Sequence, residues 1–347
     1  MTSKERFLAT LERRTVDRPA CWVGMPDPKS LPALFEYYGA KDMAGFKAAL
    51  DDDVYPIEPP YESETASAIY AAFDWYKRGN VDKVNRTLTT PGFFADSEDA
   101  SEVDEFDWPE PEKYMDAEEM EKRFSALPKD KASVGMVWSA HFQDTCAAFG
   151  MNNCFMNMID NPGLVHAVNE RIVDFYLKAN EIFYKAAKGR LDSVIIGNDM
   201  GTQRGLMLSP ELIGEFVLPG CKLLTNQAHA YGIKVIYHSC GSIVPIIDML
   251  TDAGVDAIHP IQAKAAGMKA EELKERFGNA VSFVGGVDTQ ELLVKGPAEA
   301  IRKRVFELRE LFPTGLVLSP SHEAVLPDIP PRHIAAMFEA AKSALTA

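Results

Sequence analysis

The chain has 347 residues, of which 46% are hydrophobic and 25% are charged. This composition is that of a globular protein whose core suits one big α/β domain or two smaller ones, and it excludes wholesale disorder. The formal net charge of −15 argues against nucleic acid or an anionic membrane surface as the main partner.

The sequence shows no signal for export or membrane insertion. Residues 1–8 lack the apolar core of a signal peptide, and no apolar run approaches the ~18 residues that span a bilayer. The five cysteines are scattered and odd in number, without the spacing of a disulfide framework. We therefore expect a soluble protein of the reducing cytoplasm.

The first third of the chain is irregular in pattern. Residues 5–14 are predicted to form an amphipathic helix, and residues 20–25 a first strand. Residues 61–114 lose the helical period, and turn signals at 78–80 and 90–92 predict turns and short strands there.

An acidic run then extends from Asp96 to Lys122. A cation-binding role is conceivable for so many carboxylates, but we interpret the run as a solvated loop and helix face. We treat residues 61–122 as an acidic insertion in the fold.

From Ala132 onward strand and helix patterns alternate regularly. Strands are predicted at 133–138, 193–197, 234–237, 256–259, 281–284 and 315–318, and helices at 163–188, 210–230, 244–253, 270–277, 297–311 and 331–345. Short apolar strands without polar alternation indicate a parallel sheet covered by helices. Roughly eight such units favour a TIM (β/α)8 barrel over an open sheet, and no dinucleotide fingerprint or P-loop follows a strand. We predict a single domain over residues 1–347, with an N-terminal helical extension.

The end of one predicted strand carries the most informative residues, His238-Ser239-Cys240. Side chains two apart on a strand point to the same side, so the imidazole and the thiol can converge on one point. Histidine nitrogen and cysteine thiolate are ligands that zinc prefers. His322, after the last strand, is the best third ligand, and Asp199, Glu323 or substrate is left for the fourth position.

Other polar residues follow the strands and would gather at the same face of a barrel. We assign catalytic roles to Asp199 and Glu323. Substrate binding is assigned to Gln203, Arg204, Tyr237, His259 and Gln262. Two of these assignments have alternatives: Arg204 either anchors an anion or pairs with Asp199, and His259 is either a ligand contact or a core histidine.

The sequence resembles the uroporphyrinogen decarboxylase superfamily nearly from end to end. The matching segments are residues 5–19, 198–204, 208–212, 285–290 and 329–331. The resemblance implies a TIM barrel with an N-terminal extension. It also implies one of two chemistries, decarboxylation of a porphyrinogen or methyl transfer with a corrinoid.

Two motifs favour the methyltransferase branch. True decarboxylases carry an arginine-rich segment after the first strand, whereas Gly24 to Ser30 contains no arginine. Corrinoid-dependent methyltransferases of the methylcobamide:coenzyme M type carry His-x-Cys at the end of a mid-barrel strand, which His238 and Cys240 match. Their third zinc ligand is a cysteine shortly before a Pro-Pro turn, where this chain has His322.

The expected function is therefore zinc-dependent methyl transfer between a corrinoid protein and a small thiol, folate or methylated donor. His238, Cys240 and His322 would hold the zinc, and a separate corrinoid protein would be the partner. Related barrels often pair, so a homodimer is compatible with the resemblance. The alternatives are a cofactor-free decarboxylase and a non-catalytic barrel that binds a small ligand.

Overall fold

The computed structural model describes residues 1–63, 67–73 and 89–343. Its strands are β1 (Ala20–Cys21), β2 (Met25–Pro26), β3 (Val54–Ile57), β4 (Ala132–Trp138), β5 (Ser193–Gly197), β6 (Lys234–His238), β7 (Ala257–Ile261), β8 (Ser282–Val287), β9 (Leu316–Pro320) and β10 (Ala324–Val325). Eight of them form one sheet in the order β1-β9-β8-β7-β6-β5-β4-β3, and every pair is parallel. The predicted TIM barrel is confirmed.

The barrel nearly closes between β1 and β3, the first two strands of the eight-stranded sheet along the chain. β1 and β3 lie at the two ends of the sheet, and the Asp53 amide donates to the Cys21 carbonyl across the seam at 3.1 Å. The Asp53 carboxylate accepts from the Cys21 amide in return, at 2.8 Å. Polar contacts through Asp53 therefore complete the wall where the strands are shortest.

The described helices surround the sheet. They are α1 (Ser3–Leu11), α2 (Leu31–Tyr38), α3 (Met43–Leu50), α4 (Glu102–Glu105), α5 (Ala117–Ala126), α6 (His141–Phe149), α7 (Met151–Asp160), α8 (Pro162–Ala187), α9 (Pro210–Phe216), α10 (Leu218–Ala230), α11 (Ile247–Asp252), α12 (Ala270–Phe277), α13 (Leu292–Lys295), α14 (Ala298–Leu311) and α15 (Pro331–Lys342). Within this described part of the chain, no helix has the length and apolar character needed to cross a membrane.

Several predicted elements differ in detail from the observed ones. The helix predicted over 210–230 is two helices, α9 and α10, because Pro219 in the first turn of α10 cannot donate a backbone hydrogen bond. The strand predicted over 20–25 is only β1, and β2 pairs separately with β10. The hydrophobic pattern of the sequence did not predict strand β3 or the helices α2, α3, α6 and α7.

Two hydrophobic layers hold the barrel together. Side chains inside it form one cluster that includes Trp22, Val134, Met136, Ile195 and Ile236, joined by Phe7 and Leu11 of α1. Outward-facing side chains of the same strands pack under the helices in a second cluster. The predicted N-terminal extension is therefore confirmed, and α1 covers one end of the inner layer.

The acidic run from Asp96 to Lys122 is a loop and helix face, as expected, but the short strands predicted between residues 61 and 114 are not formed by the described residues of that range. The acidic side chains from Asp96 to Glu112 are exposed, as expected. The described residues between 61 and 114 form turns and helical segments, because Phe94, Phe106 and Trp108 pack against one another instead of entering a ladder. The turn predicted at 78–80 lies outside the described residues.

Candidate functional site

The carboxyl ends of β5, β6 and β9 bring five of the predicted site residues together. Asp199 follows β5, His238 ends β6, Cys240 comes two residues later, and His322 and Glu323 follow β9. Ile236 belongs to the inner cluster, so the two-residue period of β6 directs His238 toward the same side. The predicted convergence of His238 and Cys240 is confirmed.

The potential ligand atoms fall into two groups that share Cys240. One group is Asp199, His238 and Cys240, and the other is Cys240, His322 and Glu323. Within each group the atoms lie within 4.8 Å of one another. Cys240 Sγ is 3.5 Å from His238 Nε2, and that nitrogen is 3.3 Å from Asp199 Oδ1. His322 Nδ1 is 3.4 Å from Glu323 Oε2.

These groups shift one another's protonation. Burial lowers the pKa of His238, but the Asp199 carboxylate and the Cys240 sulfur beside it raise that pKa to about 10. Burial raises the pKa of Asp199, but its hydrogen bond to His238 lowers it to about 2. Burial likewise opposes ionisation of Cys240, yet the imidazoles of His238 and His322 lower the thiol's pKa. The cluster thus favours an ionised thiolate and an ionised carboxylate beside a cation.

A buried histidine supports the cluster from within the barrel. His259 is fully buried, its Nδ1 lies 2.8 Å from His238 Nδ1, and its ring packs against Trp22 at 5.4 Å. Burial lowers the pKa of His259 well below its usual value, so the ring is neutral. The structure therefore places His259 behind His238 and not in contact with the mouth of the barrel.

Two glycines allow the site strands to approach closely. A Cβ at Gly197 would lie 2.1 Å from the His238 carbonyl oxygen. Gly241 has φ +84°, and a Cβ there would lie 2.4 Å from the Gly201 carbonyl carbon. The Cys240 amide also donates to Asp199 Oδ1 at 2.8 Å, which ties the segment after β6 to the end of β5.

A cavity of about 440 Å³ opens over this cluster. Its lining is Met25, Glu58, Tyr70, Trp138, Ala140, Gln143, Asp144, Gly197, Asp199, His238, Glu323 and Ala324. We call it the mouth cavity. The rings of Trp138 and His238 are nearly perpendicular, with centroids 5.2 Å apart and an interplanar angle of 87°.

Sequence reasoning missed several of these lining residues. Trp138 ends β4 two residues after inward-facing Met136, so the period that identified His238 would also have identified Trp138. Glu58, Tyr70 and Asp144 lie outside the recognised strand ends, where the sequence offered no comparable signal.

The remaining predicted residues lie around the cluster rather than in it. Gln262 Oε1 accepts from the Gly241 amide at 2.5 Å, and Gln262 lines, with His322, a smaller cavity of about 190 Å³. The Tyr237 hydroxyl faces outward, 3.2 Å from Cys221 Sγ of α10. Gln203 and Arg204 are exposed, and in the described part of the chain Arg204 forms no ion pair with Asp199.

The donor set fits zinc. A nitrogen and a thiolate sulfur on one tetrahedral zinc ion are about 3.6 Å apart, given their usual bond lengths. His238 Nε2 and Cys240 Sγ are separated by 3.5 Å without rearrangement. Cys240 also groups with His322 and Glu323, but His238 and His322 do not fall in one group, so binding of all three to one ion would require a shift of the His322 side chain.

The eight-stranded parallel sheet makes this protein a TIM barrel, and its His-Cys cluster lies at the carboxyl ends of the strands. The chain matches the model of the uroporphyrinogen decarboxylase (URO-D) family over residues 112–344. It belongs to this family, and the resemblance predicted from its motifs is confirmed. Among solved structures it is similar to a methyltransferase from Methanosarcina mazei, with 18% sequence identity, a TM-score of 0.68 and coverage of 98% of each chain. No curated protein matches the sequence.

Proposed function

We propose that this protein is a zinc-dependent methyltransferase that exchanges a methyl group with a corrinoid protein. The observation that carries the proposal is the ligand pair of His238 Nε2 and Cys240 Sγ, spaced for one zinc ion at the catalytic face of the barrel. His322 is the proposed third ligand. The similarity in fold to a methyltransferase across nearly the whole chain is consistent with this assignment.

The charge of the mouth cavity weighs against the decarboxylase alternative. Each carboxylate of a porphyrinogen must be desolvated against a cationic partner. Among the described residues that line the cavity there is no lysine or arginine, whereas there are four carboxylates. A polycarboxylate substrate would therefore be repelled where the reaction must occur.

The residues have distinct proposed roles. When bound, zinc would deprotonate a substrate thiol and hold it as the thiolate nucleophile. Asp199 fixes the segment that carries Cys240 through the amide hydrogen bond, and it lies beside His238 Nε2. Glu323 is the second proposed acid–base residue, and its Oε2 lies 3.4 Å from His322 Nδ1 and 4.0 Å from His238 Nδ1. We propose that the corrinoid arrives on a separate protein.

Metal analysis tests this function directly. We expect about one zinc per chain in the purified protein, lost in His238→Ala and in Cys240→Ala. His166→Ala is the matched control, because His166 is an exposed histidine that pairs with Glu215 away from the cluster. Methyl transfer from a methylated corrinoid to a small thiol should disappear together with the zinc. Metal-free protein that still decarboxylates a porphyrinogen would refute the proposal.

A further inference from the structure

The wall of the mouth cavity is rich in carboxylates. Its four carboxylates are Glu58, Asp144, Asp199 and Glu323. Asp199 pairs with His238, the one basic side chain among the described lining residues, and Asp144 accepts a hydrogen bond from the Tyr176 hydroxyl. Glu323 Oε2 is buried and, within the described part of the chain, accepts no hydrogen bond; the imidazoles of His322 and His238 lie 3.4 Å and 4.0 Å from it. A carboxylate oxygen taken out of water without a donor is costly, so the cavity favours an occupant with positive charge.

Aromatic rings form the second part of this wall. Tyr70 and Trp138 meet at 77° with their centroids 6.4 Å apart, and Trp138 in turn stands at 87° to His238. The face of an aromatic ring carries partial negative charge and attracts cations, with Trp the strongest. Methylated cations suit such a surface best, because their methyl groups bury apolar area while the charge stays delocalised over them.

We propose that the mouth cavity binds a methylated onium group, a quaternary ammonium or a tertiary sulfonium ion, as the methyl donor. Methyl transfer from the onium ion rests on the proposed function, whereas binding of the onium ion in the cavity does not. The methyl group leaves nitrogen or sulfur without the bonding electron pair and forms a new bond to the cobalt(I) centre of the proposed corrinoid partner, which supplies the electron pair of that bond. The donor becomes a neutral amine or thioether.

This charge change explains how the cavity would discriminate between donor and product. The cation is attracted by the carboxylates and the rings, but the neutral product loses both attractions and is released more easily. Small molecules that carry a sulfonate or carboxylate are disfavoured at the same wall, since like charges in a partly desolvated site repel. A substrate that carries either group must therefore bind that group away from this wall.

Calorimetric titration of the purified protein tests the inference with choline and 3,3-dimethyl-1-butanol. The two probes have the same shape, but only choline is charged. We expect choline to bind at least about tenfold more tightly, and Trp138→Leu to weaken choline binding by about fivefold or more. Trp138→Phe keeps a ring and should bind with intermediate affinity, which separates loss of the aromatic face from loss of folding. Trimethylsulfonium in a parallel titration distinguishes a sulfonium site from an ammonium site.

A charge variant and a distant aromatic variant complete the design. Glu58→Gln should weaken choline binding and leave the alcohol unaffected, while Tyr37→Leu, at an exposed ring outside the cavity, should change neither. Equal binding of the two probes, or no binding of any onium ion, would overturn the inference. The zinc content of the same samples distinguishes failure of onium binding from failure of the proposed zinc-dependent function. Trp138, Glu58 and Tyr37 are not proposed zinc ligands, so their variants should keep the metal.

Discussion

At the scale of single residues, the site depends on how closely two neighbouring strands approach. His238 is directed into the barrel mouth by the period of β6, but its position there also requires the absence of a side chain at Gly197 on β5. Asp199, two residues farther along, then meets both His238 and the Cys240 amide. A single glycine therefore controls the geometry of a pair of proposed ligands.

Gly197→Ala tests this control. The added Cβ would lie 2.1 Å from the His238 carbonyl oxygen and 2.7 Å from the His238 Cβ, so the end of β6 must shift. We expect a loss of about 1–3 kcal/mol in the free energy of unfolding, as for other overpacked sites, together with weaker zinc binding. Urea unfolding and zinc titration measure the two effects.

Gly205→Ala is the matched control in the loop that follows β5. A Cβ at Gly205 meets no atom within 4 Å, so this variant should keep both stability and zinc affinity. If Gly197→Ala bound zinc as tightly as Gly205→Ala, the close approach of β5 and β6 would not matter for the cluster.

At the scale of secondary structure, the sequence predicted the elements whose patterns are local. β5 to β9 are short apolar runs bounded by turn residues, and each was located within a few residues. β3 was missed because Val54–Ile57 is only four residues long and contains a proline. The His238 and Cys240 pair was likewise readable from one strand, whereas Glu58 and Tyr70 reach the site only through tertiary packing.

The short strands β1 and β3 depend on one buried ion cluster. The Asp53 carboxylate is fully buried and accepts from Arg6 Nη1 at 2.8 Å and from Arg18 Nη1 at 2.7 Å. It also accepts from the Cys21 amide. Because these strands have few ladder hydrogen bonds of their own, the seam of the barrel relies on this carboxylate.

Asp53→Asn should therefore destabilise the protein strongly. Asparagine keeps the size of the side chain but leaves two arginines without their buried counter-charge, and such a loss costs about 3–5 kcal/mol. Thermal and urea unfolding followed by circular dichroism would measure it. The control is Asp51→Asn, which removes an exposed partner of Arg18 and Lys131 and should cost less than about 1 kcal/mol. Similar losses in both variants would contradict the role of Asp53.

At the scale of the whole molecule, the barrel is completed by residues that precede the segment matched by the URO-D family model. The match begins at residue 112, yet β1 and β3 come earlier, as do Met25, Glu58 and Tyr70 of the mouth cavity. At the other end, α1 places Phe7 and Leu11 against the inner layer formed by strands from both halves of the chain. The N-terminal segment therefore contributes to both ends of the barrel.

Phe7→Ala tests whether α1 belongs to the cooperative core. Phe7 is 1% exposed and packs with inner residues of strands from both halves, so its truncation leaves a cavity that the barrel cannot easily collapse. We expect a loss of about 3–5 kcal/mol, with unfolding still in one transition when followed by both tryptophan fluorescence and circular dichroism. Leu8→Ala, on the half-exposed face of the same helix, should cost about 1 kcal/mol or less.

An early transition for Phe7→Ala that leaves the rest of the unfolding curve unchanged would mean that α1 only caps a barrel already stable without it. A single shifted transition would mean that the first helix and the distant strands fold as one unit.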